Sequence, residues 1–220
     1  MPAEEPRPGI AAVVRPDGKT RDVANDLWFP NGMAVTPDGT TLVVAESHAQ
    51  RLTAFTITKD GSLTDRRTWA DLGDGAAPDG ICLDADGAVW YADVPNRHCR
   101  RVAEGGRLLD TVDVDRGCFA CMLGGPDGRT LYIVATDWQR LNWQHGGGER
   151  TGQVLMYDAP SPHAGRPRPA LVPIRHHPRW FNGSCRSPRG RADEGMFLMW
   201  SPRRFFTRSG SGFRTPWAST

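Results

Sequence analysis

Short apolar runs separated by Asp-Gly turns recur through residues 10–159, the pattern expected of strands paired into small antiparallel sheets. In the clearest unit the run Met33-Ala34-Val35 is followed by the turn Pro37-Asp38-Gly39-Thr40, the run Leu42-Val43-Val44-Ala45 and a third run over 52–57. The turn Lys59-Asp60-Gly61-Ser62 then leads into a fourth run over 63–70. A second unit begins about 48 residues later. It passes from Ile81-Cys82-Leu83 through the turn Ala85-Asp86-Gly87 to 88–92, 97–102, the turn Glu104-Gly105-Gly106 and 108–112. A third runs from Cys118 to Leu123, turns at Pro126-Asp127-Gly128 and continues over 131–135. An insertion over 137–150 precedes its last run at 153–157.

A four-stranded unit cannot bury its apolar face alone but can do so against the next unit, so the repeat predicts an all-β chain of β-propeller blades. Residues 10–14 and 20–24 flank Pro16-Asp17-Gly18 and predict a lone hairpin, the outer half of a blade whose inner half is absent. The expected organisation is a disordered N-terminus over 1–9, an incomplete propeller over 10–159 and a disordered tail over 160–220. The arc holds about three and a half blades.

Composition changes the picture mainly in that tail. The net charge of +2 conceals eleven arginines from Pro160 onward against Asp193 and Glu194 only. Residues 1–159 are therefore about seven charges negative. Segments such as Arg166-Pro167-Arg168-Pro169 have no strand rhythm and too little apolar surface to offset the entropy of ordering them. No fold or motif presents these arginines to a nucleic acid, so no nucleic-acid partner is expected. Hydrophobic residues make up 39% of the chain, mean hydropathy is −0.48, and no apolar run approaches the ~20 residues of a membrane span. No membrane association is expected. The start Met1-Pro2-Ala3-Glu4-Glu5 lacks the basic and apolar stretches of a signal peptide, which makes the cytoplasm the expected compartment.

Each of the first two units opens on a short oxygen-bearing side chain, in Pro30-Asn31-Gly32 and Pro78-Asp79-Gly80. At the mouth of innermost strands such side chains can aim oxygens at the propeller axis, and oxygen donors suit calcium or magnesium better than soft metals. Asn-Gly and Asp-Gly are also common turn formers, since both tolerate left-handed backbone geometry, and spacing alone leaves both readings open. Asp38, Asp86 and Asp127 are expected to cap backbone amides in their turns. Glu46 and Asp93, which follow second strands, read as solvated loop carboxylates outside the ligand set. Cys82, Cys118 and Cys121 read as reduced core residues; the Cys118-x-x-Cys121 spacing has no second pair or His partners to make it a metal or redox motif. His48, His98 and His145 are expected to be neutral and solvated, as are His176 and His177. The insertion with Trp138 and Trp143 reads either as a lid over the channel or as an ordinary long loop.

The phrases from Phe29 to Gly39, from Pro78 to Trp90 and from Cys118 to Gly128, in that order and spacing, resemble the SMP-30/gluconolactonase/LRE family. The likeness spans about residues 10–165 and matches the family's C-terminal half. It implies a six-bladed propeller, a divalent cation in the channel and hydrolysis of sugar-type or other small lactones. Asn31 and Asp79 match two of the family's cation ligands. A third, a Glu in an early Glu-Gly-Pro segment, has no counterpart here, nor do the substrate-positioning Arg and Asn of the early blades. The resemblance thus implies a cation held by Asn31 and Asp79, with calcium first and zinc or magnesium as alternatives, and Asp79 as the catalytic base toward a water. The expected function is a metal-dependent lactonase, truncated so that the chain begins partway round the ring, with a small-molecule lactone as its partner. The alternative is a non-catalytic propeller fragment that binds or oligomerises through its open sheet edges. Strictosidine-synthase-like chemistry is set aside, because the matched phrases are those of the lactonase group.

Overall fold

A computed structural model describes residues 6–15, 17–138, 150–167 and 197–198. Where the sequence places its first full unit, β3 (Pro30–Val35), β4 (Thr41–Glu46), β5 (Arg51–Ile57) and β6 (Leu63–Asp71) pair in that order. The next unit is β7 (Pro78–Leu83), β8 (Val89–Asp93), β9 (His98–Val102) and β10 (Leu108–Asp113), again in sequence order. The third is β11 (Gly117–Gly124), β12 (Thr130–Thr136) and β13 (Gln153–Asp158). Ahead of them β1 (Gly9–Val14) pairs with β2 (Thr20–Leu27), and the short β14 (Phe197–Leu198) adds to the free side of β1. Among the described residues every pairing is antiparallel, and they form an all-β arrangement of four open sheets.

The turns form where the Asp-Gly pairs stand, because the carboxylate accepts from amides two residues on and Gly takes positive φ. Asp38 Oδ1 accepts from Thr40 N at 3.0 Å with Gly39 at φ 73°, and Asp127 Oδ1 accepts from Arg129 N at 3.0 Å. The second unit departs from expectation. There Asp84, not Asp86, caps the turn, accepting from Asp86 N and Ala88 N, while Asp86 pairs with Arg101 at 2.7 Å. Asp84 is wholly buried against Arg101 Nε, so the more interior carboxylate takes the amides and the exposed one takes the guanidinium's other nitrogen.

Stacking of successive sheets makes three apolar layers in series. The β1–β2 hairpin lays Ala11 and Leu27 on Leu42, Val44 and Phe55 of the first full sheet. The opposite face of that sheet, with Val43, Leu52 and Ala54, packs on Ile81, Val89 and Tyr91. Trp90, Cys99 and Cys82 then meet Cys118, Cys121, Leu131 and Ile133 of the β11–β13 sheet. The two middle sheets are thus buried on both faces and the two outer ones on a single face, and the outer face of the β11–β13 sheet is the more apolar. There Met122, Val134, Val154 and Met156 are 48–72% exposed. Backbone hydrogen bonds continue beyond β13 to Ala164, whose amide meets Leu83 O at 3.0 Å, as Ala85 N meets Pro162 O at 2.7 Å. Apart from β14, the expected tail beyond Pro167 lies outside the described residues, as do residues 1–5 of the expected N-terminus.

Candidate functional site

The first strands of the three full sheets, β3, β7 and β11, lie side by side, and each carries a one-residue bulge at the same place. Pro30 pairs with Glu46 and Met33 with Val44, so three steps on β3 oppose two on β4. Pro78 and Ile81 stand in the same relation to Asp93 and Tyr91, and β11 shifts register between Cys118 and Ala120. Such a bulge leaves one residue unpaired and redirects its side chain. Asn31 and Asp79 fall within these bulges, in strand backbone, and neither has positive φ. The turn-forming reading of Asn31-Gly32 and Asp79-Gly80 is therefore overturned.

The glycines explain how the strands come so close. A Cβ on Gly32 would lie 2.6 Å from Ile81 N and 2.8 Å from Gly80 Cα, and one on Gly80 would lie 2.7 Å from Ala120 Cα. No L side chain fits there, so the inner strands meet backbone to backbone. This contact brings the Asn31 side chain beside the Asp79 carboxyl, close enough to favour its ionised form. Burial pushes the Asp79 carboxyl up from 3.8 to about 6, and the neighbouring Asn31 amide offsets only part of that rise. Among the described residues no charged side chain neutralises it. Two hard oxygen donors, one of them a half-buried carboxyl without a cationic partner, form a donor set that fits a hard divalent cation. Among the described residues no cluster of three His, Cys, Asp or Glu side chains is placed to hold a metal.

Glu46 and Asp93 are not solvated, and that expectation is corrected. Both are fully buried, since each closes the second strand of its sheet opposite the proline that opens the first. Glu46 Oε2 accepts from Trp28 N at 2.6 Å, while Oε1 takes Arg51 Nε at 3.1 Å, Arg66 Nη2 at 3.2 Å and the Thr53 hydroxyl. Burial works to raise its carboxyl, but the Thr53, Trp28 and Arg51 bonds outweigh it and hold the group below its ordinary range. Asp93 accepts from Ala77 N at 3.3 Å and from Asn96 Nδ2 at 3.0 Å, and faces His98 Nε2 at 3.6 Å. It too stays below the ordinary carboxylate range: burial raises it, and His98 with the Asn96 and Ala77 bonds more than compensates. The signal was present in the repeat. Val44-Ala45-Glu46 and Tyr91-Ala92-Asp93 each end on an acid at the same step of the unit, which a loop-by-loop reading misses.

His98 is likewise buried, against Asp93 and edge-on to Tyr91, whereas His48 is exposed and stacks on Phe29 at 4.6 Å. Cys82, Cys99, Cys118 and Cys121 are free, buried and in one core. Trp138 covers Gly117, where a Cβ would strike its ring at 2.6 Å. Trp143, His145, His176 and His177 lie outside the described residues. A cavity of about 530 Å³ opens at the other ends of the inner strands, among Val35, Ile81, Leu83, Met122 and Arg166. It contains neither Asn31 nor Asp79 and is lined mostly by apolar side chains, which do not suit hydrolytic chemistry.

The stacked three- and four-stranded sheets, with bulged first strands β3, β7 and β11 meeting side by side, define a β-propeller. At this level the chain resembles the crystal structure of a calcium-binding protein, regucalcin, from Agrobacterium tumefaciens, with a TM-score of 0.54 and 23% identity over 69% of this chain and 52% of that one. Residues 1–137 match the SMP-30/Gluconolactonase/LRE-like region, and the chain belongs to that family. It is 31% identical over 147 residues to regucalcin of Xenopus laevis, covering 61% of this chain and 49% of that protein. It is 28% identical over 117 residues to a 6-deoxy-6-sulfogluconolactonase of Pseudomonas putida, covering 52% and 40%. The chain therefore spans about half the length of the curated relatives it matches, or less. Among the described residues no helix is long and apolar enough to cross a membrane.

Proposed function

We propose that this chain carries part of the site of a divalent-cation-dependent hydrolase of small, sugar-type lactones. The observation that supports it best is the Asn31 side chain on the Asp79 carboxyl, at matching bulges of adjacent inner strands, in a chain of the gluconolactonase-like family. The sulfogluconolactonase relative favours a lactone substrate, and the relative described as calcium-binding favours calcium over magnesium or zinc. Asn31 and Asp79 would hold the ion, which when bound supplies Lewis-acid polarisation of the lactone carbonyl. Asn31 orients the Asp79 carboxylate through its amide. Asp79, whose carboxyl loses its proton near pH 6, accepts the proton of the attacking water on a free oxygen.

Two side chains supply only a minority of the roughly six to eight oxygens that calcium takes, so the chain alone binds weakly and the rest of a whole site lies beyond these blades. Isothermal titration of the full chain with calcium, magnesium and zinc tests this. Wild type is expected to take up calcium, Asn31→Ala to lose about tenfold in affinity and Asp79→Ala to lose measurable binding. Uptake that both variants retain unchanged removes the site from these residues.

A second reading, a non-catalytic module that self-associates, is favoured by the uncovered face at Met122, Val134, Val154 and Met156. Its occupant is a second copy applying the same face, since isologous contacts need one self-complementary patch. Sedimentation at rising concentration is then expected to show dimers that a Val154→Lys, Met156→Lys variant does not form. A wild type that stays monomeric throughout excludes it.

A further inference from the structure

Two buried carboxylates occupy the same step of successive repeats and do the same thing. Glu46 lies opposite Pro30 and Asp93 opposite Pro78, and each prolines' strand is the one that carries a bulged Asn31 or Asp79. Each carboxylate accepts a backbone amide just ahead of that proline, Trp28 N in one sheet and Ala77 N in the next. The corner leading into β3 is held further by Ser47 N on Phe29 O at 3.1 Å and His48 N on Trp28 O at 3.2 Å. At the entry to β7 the Ser47 hydroxyl crosses between sheets to Pro78 O at 2.6 Å. Each acid is in turn fixed by side chains of its own sheet: Arg51, Thr53 and Arg66 for Glu46, and Asn96 for Asp93, which His98 Nε2 faces at 3.6 Å. Burying a carboxylate with this many donors is a large investment in one geometry; Glu46 applies it to the Trp28 amide, and Asp93 to the Ala77 amide and, at 3.3 Å, the Asn96 amide of its own turn. A bulged residue has lost the ladder hydrogen bond that would otherwise set its direction, so the chain entering the bulge must be fixed by other means.

We propose that Glu46 and Asp93 are positioning residues, each clamping the entry to an inner strand so that Asn31 and Asp79 leave their bulges toward one another. The proposal deepens the cation-site reading of Asn31 and Asp79 and rests on it for its functional meaning. The β11 sheet supports the assignment from the other side. At the corresponding step it carries Thr136, opposite Gly117, and its bulge presents Phe119, which is no cation ligand.

The test compares Glu46→Gln and Asp93→Asn with Asp84→Asn in the full chain. Asp84 is as deeply buried and is ion-paired to Arg101, but it serves the 84–88 turn at the far end of β7. Calcium titration is expected to show affinity reduced about tenfold or more in Glu46→Gln and Asp93→Asn, and unchanged in Asp84→Asn at a comparable loss of thermal stability. The Asn31 side-chain amide resonance in the metal-free protein gives a second readout, because it reports the placement of Asn31 beside the Asp79 carboxyl. It is expected to shift in the first two variants and not in the third. Amide exchange is expected to quicken about tenfold at Trp28 in Glu46→Gln and at Ala77 in Asp93→Asn. Where Glu46→Gln fails to fold, Thr53→Val, which keeps the charge and removes one donor, is expected to move the Asn31 resonance in the same direction. Equal effects of all three carboxylate variants on calcium affinity and the Asn31 resonance, or an unmoved Asn31 resonance throughout, overturn the proposal. A wild type that takes no calcium defeats the cation reading instead, and the Asn31 resonance and amide exchange then decide the positioning role alone.

Discussion

Gly32→Val and Gly80→Val are each expected to lose about 3 kcal/mol or more of stability, seen as a large drop in the urea midpoint. The reason is the approach of the inner strands rather than the conformation of the glycines. Neither has positive φ, yet a Cβ at Gly80 would stand 2.7 Å from Ala120 Cα and 3.0 Å from Phe119 O, and one at Gly32 would meet the backbone of Asp79, Gly80 and Ile81. Backbone cannot swing aside as a flexible side chain can, so the sheets must part, and the layers that join them part with them. Gly73→Ala is the contrasting case. Gly73 has φ 81° and open space around it, so only left-handed strain of about 1 kcal/mol is expected. Gly32→Val is also expected to move the Asn31 resonance, because the same contact brings Asn31 to Asp79. Midpoints for Gly32→Val and Gly80→Val no lower than that for Gly73→Ala would show that the strands do not meet as described.

Asp79→Asn is expected to stabilise the metal-free protein above pH 6 and to leave it unchanged near pH 4. The Asp79 carboxyl titrates near pH 6 in the folded chain and near 3.8 when unfolded, so the folded state holds the proton more tightly. Its contribution to stability is fully present below pH 4 and is lost as pH rises through 6. A gap of about two units sets an upper bound of about 3 kcal/mol, which water at a half-buried site reduces to about 1–2 kcal/mol. Urea midpoints across pH 4–8 for wild type and Asp79→Asn measure the difference directly. A constant offset at every pH would remove the burial argument. Under the cation reading, calcium at pH 7.5 is expected to raise the wild-type midpoint and not that of the variant, because an ion that binds only the folded carboxylate stabilises only that protein. The charge that costs the metal-free protein stability is the one that would hold the ion.

Much of the fold was legible because its signals are local. The runs at 33–35, 42–45 and 52–57 became β3, β4 and β5 within a few residues, and Asp38-Gly39 and Asp60-Gly61 turned where turn chemistry requires. Asn31 and Asp79 stood out because a repeat placed them at equivalent positions. Their setting was less legible: Asn-Gly and Asp-Gly have the same local signature in a turn and in a bulge, and only pairing with β4 and β8 distinguishes them. Glu46, Asp93 and His98 depart from expectation for a related reason. An acid or histidine at the end of a short strand looks solvated until the neighbouring sheet, the arginines of β5 and β6 and the corners at Trp28 and Ala77 close over it.

By itself, then, the sequence determined which residues form strands, where the chain turns and which short oxygen-bearing side chains recur from unit to unit, since all three are written within a few neighbouring residues. Tertiary structure alone decided that Asn31 meets Asp79 and that Glu46 and Asp93 are buried anchors. It also set the approach of Gly32 to the backbone of Gly80, because those facts depend on contacts between sheets about 48 residues apart in the chain, where side-chain volume and burial rather than local propensity set the geometry.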